Sequence, residues 1–261
     1  MNAPAPPLVV VFNVGAGHGQ ADAVRATLQA GCAEAGRTLH LLEVHDPQQL
    51  SAVARQAVAQ ARHCGGVVVA AGGDGTINAV AQTALGSGCA FGVLPQGTFN
   101  CFSRSHGIPA DPHEALQVVL AGHRQPAQVG LMGERVFLVN ASLGLYPQLL
   151  EERGEWKRQL AAIALRPVGF LKMLGLLWRG AFGRLGDADE LLHLAVRQLT
   201  VRASRRAGTL GSRRIKVATD GEVTWMRLPL TFRVAAQPLD LLRPPAPLPS
   251  DPPAPDPQAA E

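Results

Sequence analysis

Gly72-Gly73-Asp74-Gly75-Thr76 stands between an apolar run and an amphipathic segment, and these residues have the types and spacing to handle a phosphate. Glycines let the backbone approach a phosphate closely and turn its N–H groups inward, and a following helix N-terminus adds a favourable dipole. Asp74 does not suit contact with a bare phosphate, because like charges repel. It suits a metal–phosphate complex or a hydroxyl that must lose a proton. A plain turn with Asp74 as the helix N-cap would use the same residues. A second glycine turn, Asn13-Val-Gly-Ala-Gly17-His-Gly19, is neither G-x-G-x-x-G nor G-x-x-x-x-G-K-[ST], so neither a dinucleotide fingerprint nor a P-loop is supported. Glu43 and Asp46 are only crude candidates for a ribose contact. The third turn, Pro95-Gln96-Gly97-Thr98-Phe99-Asn100, offers a hydroxyl and an amide that could also serve as caps.

The elements that must hold these turns are legible around them. Leu8–Phe12 is a β-branched apolar run leading into the first turn, and Gly66–Ala71 leads into the second. Ala90–Leu94 leads into the third. Helices are expected over 21–35, from Pro47 to Arg62, to Leu85, to about His106 and over 112–121, with a strand over 38–44. Strand and helix alternating four times give an α/β layered domain with a mostly parallel sheet. In such sheets ligands sit beyond the carboxyl ends of the strands, so connectivity alone brings residues 13–19, 72–76 and 95–100 to one crevice.

Beyond Gln125 the pattern changes, and the boundary is placed there: an α/β domain over 1–125 and a β-rich second domain over 126–243. A Pro-rich, extended, disordered tail is expected over 244–261, where eight of the fourteen residues from Pro244 to Pro257 are Pro. Strands are expected over 135–139, 195–203, 213–219 and 228–234, with a helical basic stretch from Leu149 to Phe182 that Pro167 divides. Hydrophobic residues make up 47% of the chain and charged ones 17%, a globular balance. Residues 153–216 hold 14 Lys or Arg against 4 Asp or Glu, which points to anionic partners. Cys32, Cys64, Cys89 and Cys101 show no C-x-x-C spacing, and the eight His make no ligand pattern, so zinc and disulfide frameworks are not expected. The first seven residues do not read as a secretory signal, and no run suits a membrane-spanning helix. A cytoplasmic protein is expected. No nucleophile motif supports a hydrolase. Arg205-Arg206 and Arg213-Arg214 lack an aromatic stacking platform, so no nucleic-acid partner is expected.

Three motifs together carry a resemblance: Asn13 with its glycines, then Gly72-Gly73-Asp74-Gly75-Thr76-Ile77-Asn78, then Pro95-Gln96-Gly97-Thr98-Phe99-Asn100-Cys-Phe-Ser-Arg104. Their order and spacing resemble the diacylglycerol kinase catalytic domain family of bacterial lipid kinases, diacylglycerol kinases and sphingosine kinases. Asn140-Ala-Ser-Leu-Gly144 and Asp220-Gly221-Glu222 with Leu228–Val234 resemble parts of that family's β-rich second domain. The resemblance implies ATP with Mg2+ as cofactors and a lipid alcohol as acceptor. It implies an ATP site lined by Asn13, Gly72, Gly73, Asp74, Gly75, Thr76, Asn78 and Thr98. Glu222 matches a proposed general base, with Asp74 in the same polar network, although Asp-Gly-Glu is also an ordinary hairpin turn. No metal ligands are assigned.

Two departures stand out. Ala79 replaces a frequent Glu, and the second domain reads as shortened, because Phe182 leads through Gly186–Glu190 almost directly to the last strands. A catalytically impaired nucleotide-binding member is therefore a rival. An NAD kinase-like enzyme, which shares Gly-Gly-Asp-Gly, is another, and Pro95–Asn100 speaks against it. On the lipid side, Phe170, Leu171, Leu174, Leu177, Trp178 and Ala181 recur at helical spacing opposite Lys172 and Arg179. That basic amphipathic segment, 168–182, suits peripheral contact with an anionic membrane or packing on the neighbouring domain. A homodimer is compatible with the sequence.

Overall fold

The computed structural model describes residues 5–17, 19–143, 160–165, 191–202, 214–220 and 222–245. Strands β1 (Leu8–Asn13), β2 (Leu39–Val44), β3 (Val67–Gly72) and β4 (Ala90–Pro95) are the parallel strands that the apolar runs imply. Two more strands complete their sheet: β5 (Arg124–Ala127) and the late β15 (Leu239–Leu242). The order is β2-β1-β3-β4-β15-β5, with β15 parallel to β4 and β5 antiparallel to β15. β3 and β4 are buried at every position, as continuous apolar runs in a sheet covered on both faces must be.

Helices α1 (Ala21–Glu34), α2 (Leu50–Cys64), α3 (Asp74–Ala84), α4 (Cys101–Ser105) and α5 (Pro112–Ala121) connect these strands. The chain steps from β1 outward to β2, then back past β1 to β3 and on to β4. Right-handed crossovers therefore put α1 on one face and α2 with α3 on the other. α5 joins α1 and α3 packs on α2, closing one core over both faces. Two helical starts carry Asp caps. Asp46 accepts from Gln48 N at 2.9 Å at a 3-10 turn, Pro47–Gln49, ahead of α2. Asp111 accepts from Glu114 N at 2.9 Å with Pro112 opening α5.

The second part is built of antiparallel strands. β6 (Gly130–Met132), β7 (Arg135–Phe137), β11 (Gln198–Val201) and β14 (Leu230–Val234) form a sheet in the order β11-β14-β6-β7. β8 (Ala141–Leu143), β12 (Arg214–Thr219) and β13 (Glu222–Arg227) form another in the order β13-β12-β8. Met132, Phe137, Val217, Leu230 and Phe232 make a core between them, with Phe137 edge-on to Phe232 at 6.3 Å.

Three expectations change. Leu160–Leu165 is a strand (β9) paired antiparallel with Leu191–Val196 (β10), not part of a helix through 149–182. Its run of Leu, Ala and Ile fits either period, and pairing decides it. The strand expected over 195–203 is two strands separated at Arg197. The residues after Asp220 form a full strand, β13, rather than only a turn. The Pro167 break, helix 168–182, the acidic run 187–190, Arg205-Arg206, His18, Gly144, Gly221 and all but the first two residues of the expected 244–261 tail lie outside the described residues.

Candidate active site

All three glycine turns lie at the carboxyl ends of β1, β3 and β4, and they touch. Gln96 N donates to the carbonyl of Gly72 at 2.8 Å, continuing the β3–β4 pairing into the turns. A Cβ on Gly97 would lie 3.0 Å from Cα of Gly73 and 2.9 Å from Oδ1 of Asn100, so any larger residue would force the second and third turns apart. Asn100 holds the third turn shut by accepting from Gly97 N at 2.8 Å, from a backbone with φ 48°. A Cβ on Gly72 would lie 2.6 Å from Oγ1 of Thr76. That close approach lets the buried Thr76 hydroxyl accept from Nδ2 of Asn13 at 3.0 Å, which ties the first turn to the second. Asn13 also accepts from Gly15 N at 3.1 Å, shaping its own turn.

Asp74 opens α3, and Gly73 takes the N-cap position, so Asp74 is not the cap of its own helix. Its carboxylate faces the start of α4. Burial pushes its pKa up from the ordinary Asp value, against the backbone amides of Phe102, Cys101 and Asn100, which pull it down. Oδ1 of Asp74 is buried with no hydrogen-bond partner among the described residues, as are both amide atoms of Gln96, beside Gly17. Buried polar atoms without partners are uncommon, and these border the same crevice.

Glu222 reaches the other side of the α3 N-terminus: a Cβ on Gly75 would lie 3.2 Å from its Oε1. Arg135 orients it, donating to Oε2 at 2.9 Å and to Oγ1 of Thr224 at 3.2 Å. The Glu222 side chain is 60% exposed. Asp74 and Glu222 therefore flank one helix N-terminus, while Thr98 stands exposed on the third turn beside Phe99.

Asn78 points elsewhere. Its Nδ2 donates to Oδ2 of Asp220 at 2.7 Å and to the carbonyl of Val136 at 3.2 Å. Asp220 also accepts from the backbone amides of Leu138 and Val139 at 2.8 Å each and of Asn140 at 3.2 Å. Burial pushes the Asp220 pKa up while these donors pull it down. Asn78 thus locks α3 to the β-rich part, helped by Gln82, which accepts from Val136 N at 2.7 Å. Gln96, Arg135 and Asp220 were not among the site residues read from sequence. The sequence holds Gln96 inside a recognised motif, but nothing near Arg135 signals its role. Glu43, the crude ribose candidate, is taken by Arg25 at 2.8 Å, which holds its carboxyl below the usual range. Among the described residues no three His, Cys, Asp or Glu side chains form a metal cluster.

Residues 7–132, which carry all three turns and Asp74, match the diacylglycerol kinase catalytic domain. Over this domain the chain is similar to that family. A probable lipid kinase YegS-like of Klebsiella pneumoniae (strain 342) is 44% identical over 79 residues, 30% of this chain and 27% of that protein. The diacylglycerol kinase of Staphylococcus aureus (strain JH9) is 39% identical over 88 residues, 33% of this chain and 28% of that protein. The aligned segments span less than a third of either relative. The crystal structure of a diacylglycerol kinase from Bacillus anthracis str. Sterne superposes with a TM-score of 0.69 at 15% identity, covering 94% of this chain and 99% of that one. This likeness establishes the diacylglycerol kinase fold across both parts of the molecule. No helix among the described residues is long and apolar enough to cross a membrane.

Proposed function

We propose that the protein transfers the γ-phosphate of ATP to the hydroxyl of a lipid, diacylglycerol- or sphingoid-like. One observation carries this reading: three glycine turns locked against each other at the α3 N-terminus, with Asp74 and Glu222 on either side. The amides of residues 73–76 and the first turn would cradle phosphates, and Thr98 borders the opening. Bound magnesium supplies charge neutralisation during phosphoryl transfer. Asp74 fits it, because Oδ1 is a buried carboxylate oxygen lacking a partner. Glu222 would take the acceptor proton, oriented by Arg135. Asn13, Asn78 and Gln82 act as positioning residues, two of them tying the cradle to the strand that bears Glu222's partner. Contact with an anionic membrane surface belongs to the same proposal.

Calorimetric ATP titration with and without magnesium, followed by transfer of labelled γ-phosphate to diacylglycerol or sphingosine in mixed micelles, tests it. The expected result is magnesium-dependent binding and many products per protein. Asp74→Asn and Glu222→Gln should each lower turnover by about 100-fold or more. Binding without turnover would leave only a nucleotide-binding protein, and no binding at all would remove the reading.

A further inference from the structure

β13 alternates strictly, and its two faces have different surroundings. Glu222, Thr224 and Met226 point toward the second core and the α3 N-terminus. Val223 and Trp225 point the other way and are 63% and 59% exposed, against the rule that large apolar side chains gather inside. In the antiparallel register Ala218 lies opposite Val223, Lys216 opposite Trp225 and Arg214 opposite Arg227, so all six share the outer face. Nζ of Lys216 sits 5.3 Å from the centroid of the Trp225 ring. No Asp or Glu lies on this face in β12 or β13. β13 is also the outer strand of its sheet among the described strands.

We infer that the outer face of β12 and β13, with Val223 and Trp225 framed by Lys216 and Arg227, docks on an anionic lipid bilayer. Tryptophan suits the water–lipid boundary, where its ring lies among chain tops and its N–H stays wet. Lysine and arginine beside it meet acidic headgroups. A second copy of the same face would bring these cations against themselves, so charge favours the anionic bilayer over a symmetric dimer. Position gives the docking a use that rests on the lipid-kinase reading. Trp225 follows Glu222 by three residues, about 10 Å of strand. A bilayer on the outer face would therefore lie one strand's thickness from the carboxylate proposed to meet the acceptor hydroxyl.

The test uses the full chain and needs no turnover. Vesicles of phosphatidylcholine alone, or with about a third phosphatidylglycerol, are sedimented with wild type and with Trp225→Ser, Val223→Ser, Lys216→Ala and Arg227→Ala. Wild type should bind the anionic vesicles at least about ten-fold better than the neutral ones, and less well as salt rises. Each cation removed should weaken binding about five-fold, and Trp225→Ser about ten-fold, with unfolding midpoints unchanged. ATP binding and transfer to short-chain lipid in detergent should persist in all four variants, which separates failure of docking from failure of the kinase reading. Equal binding by wild type and Trp225→Ser would overturn the inference. So would a large fall in that variant's unfolding midpoint, meaning the ring is packed on its own chain. A wild-type dimer that becomes monomeric on Trp225→Ser would overturn it as well.

Discussion

Two partly buried ionisable side chains near the turns are shifted in opposite senses, and each leaves a different mark on stability. Burial raises the pKa of Asp74, so the folded protein holds that proton more tightly than the unfolded chain. Its contribution to stability is present at low pH and is lost as pH rises through the folded pKa. At neutral pH the ionised carboxylate therefore strains the fold that presents it. Asp74→Asn should raise the urea midpoint at pH 7 while lowering turnover, and a lowered midpoint would contradict this account. His106 runs the other way. Burial, with a smaller push from Arg243, lowers its pKa to about 4, and its ring packs edge-on to Phe102 at 4.5 Å. The unfolded chain binds the extra proton between about pH 6.5 and 4, so stability falls as pH drops through that window. The loss should reach about 2–4 kcal/mol by pH 4. His106→Gln should flatten this slope in urea titrations run at several pH values, without shifting ATP binding at pH 7.

At the scale of elements, the site depends on how α3 is fastened at both ends. Its N-terminus is pressed against the third turn, and its second turn is fastened through Asn78 to Asp220, a carboxylate that accepts four hydrogen bonds. Asp220→Ala would leave three amides and Asn78 without their acceptor, which should cost about 3 kcal/mol in chemical unfolding. Asn78→Ala should cost less. Because the two side chains share one bond, a double-mutant cycle should return about 1–2 kcal/mol of coupling, and additivity would remove the clamp. The three turns were legible in the sequence because each is a local pattern: an apolar strand, glycines, then a helix. The clamp was not, because its two ends stand 142 residues apart and Asp220-Gly221 reads locally as a hairpin turn. Glu222 could be singled out through resemblance, but its partner Arg135 carries no local signal. Leu160–Leu165 failed for a different reason: six small and aliphatic residues fit a buried strand and a helix segment alike, and only the pairing with Leu191–Val196 distinguishes them.

The whole molecule is joined more deeply than a linear division near residue 125 conveys. After the β-rich strands the chain crosses back, and β15 enters the first sheet between β4 and β5. Four residues bounded by prolines are too short for periodicity to mark as a strand, yet Leu239, Leu241 and Leu242 are fully buried. Without β15, β4 would lose a parallel neighbour and β5 its only partner among the described strands, exposing an edge beside the strand that supports the third turn. The third turn therefore depends on residues some 140 positions after it in sequence. Leu241→Ala should lower stability by about 3 kcal/mol through the cavity it leaves. A chain ended after Gln237 should fail to fold cooperatively and should lose ATP binding, although it keeps all three glycine turns, Asp74 and Glu222. Circular dichroism with thermal unfolding and ATP titration on this shortened chain decides the matter. If it melts as sharply as the full chain and still binds ATP, the first sheet closes on its own, and β15 is only an addition to a finished domain.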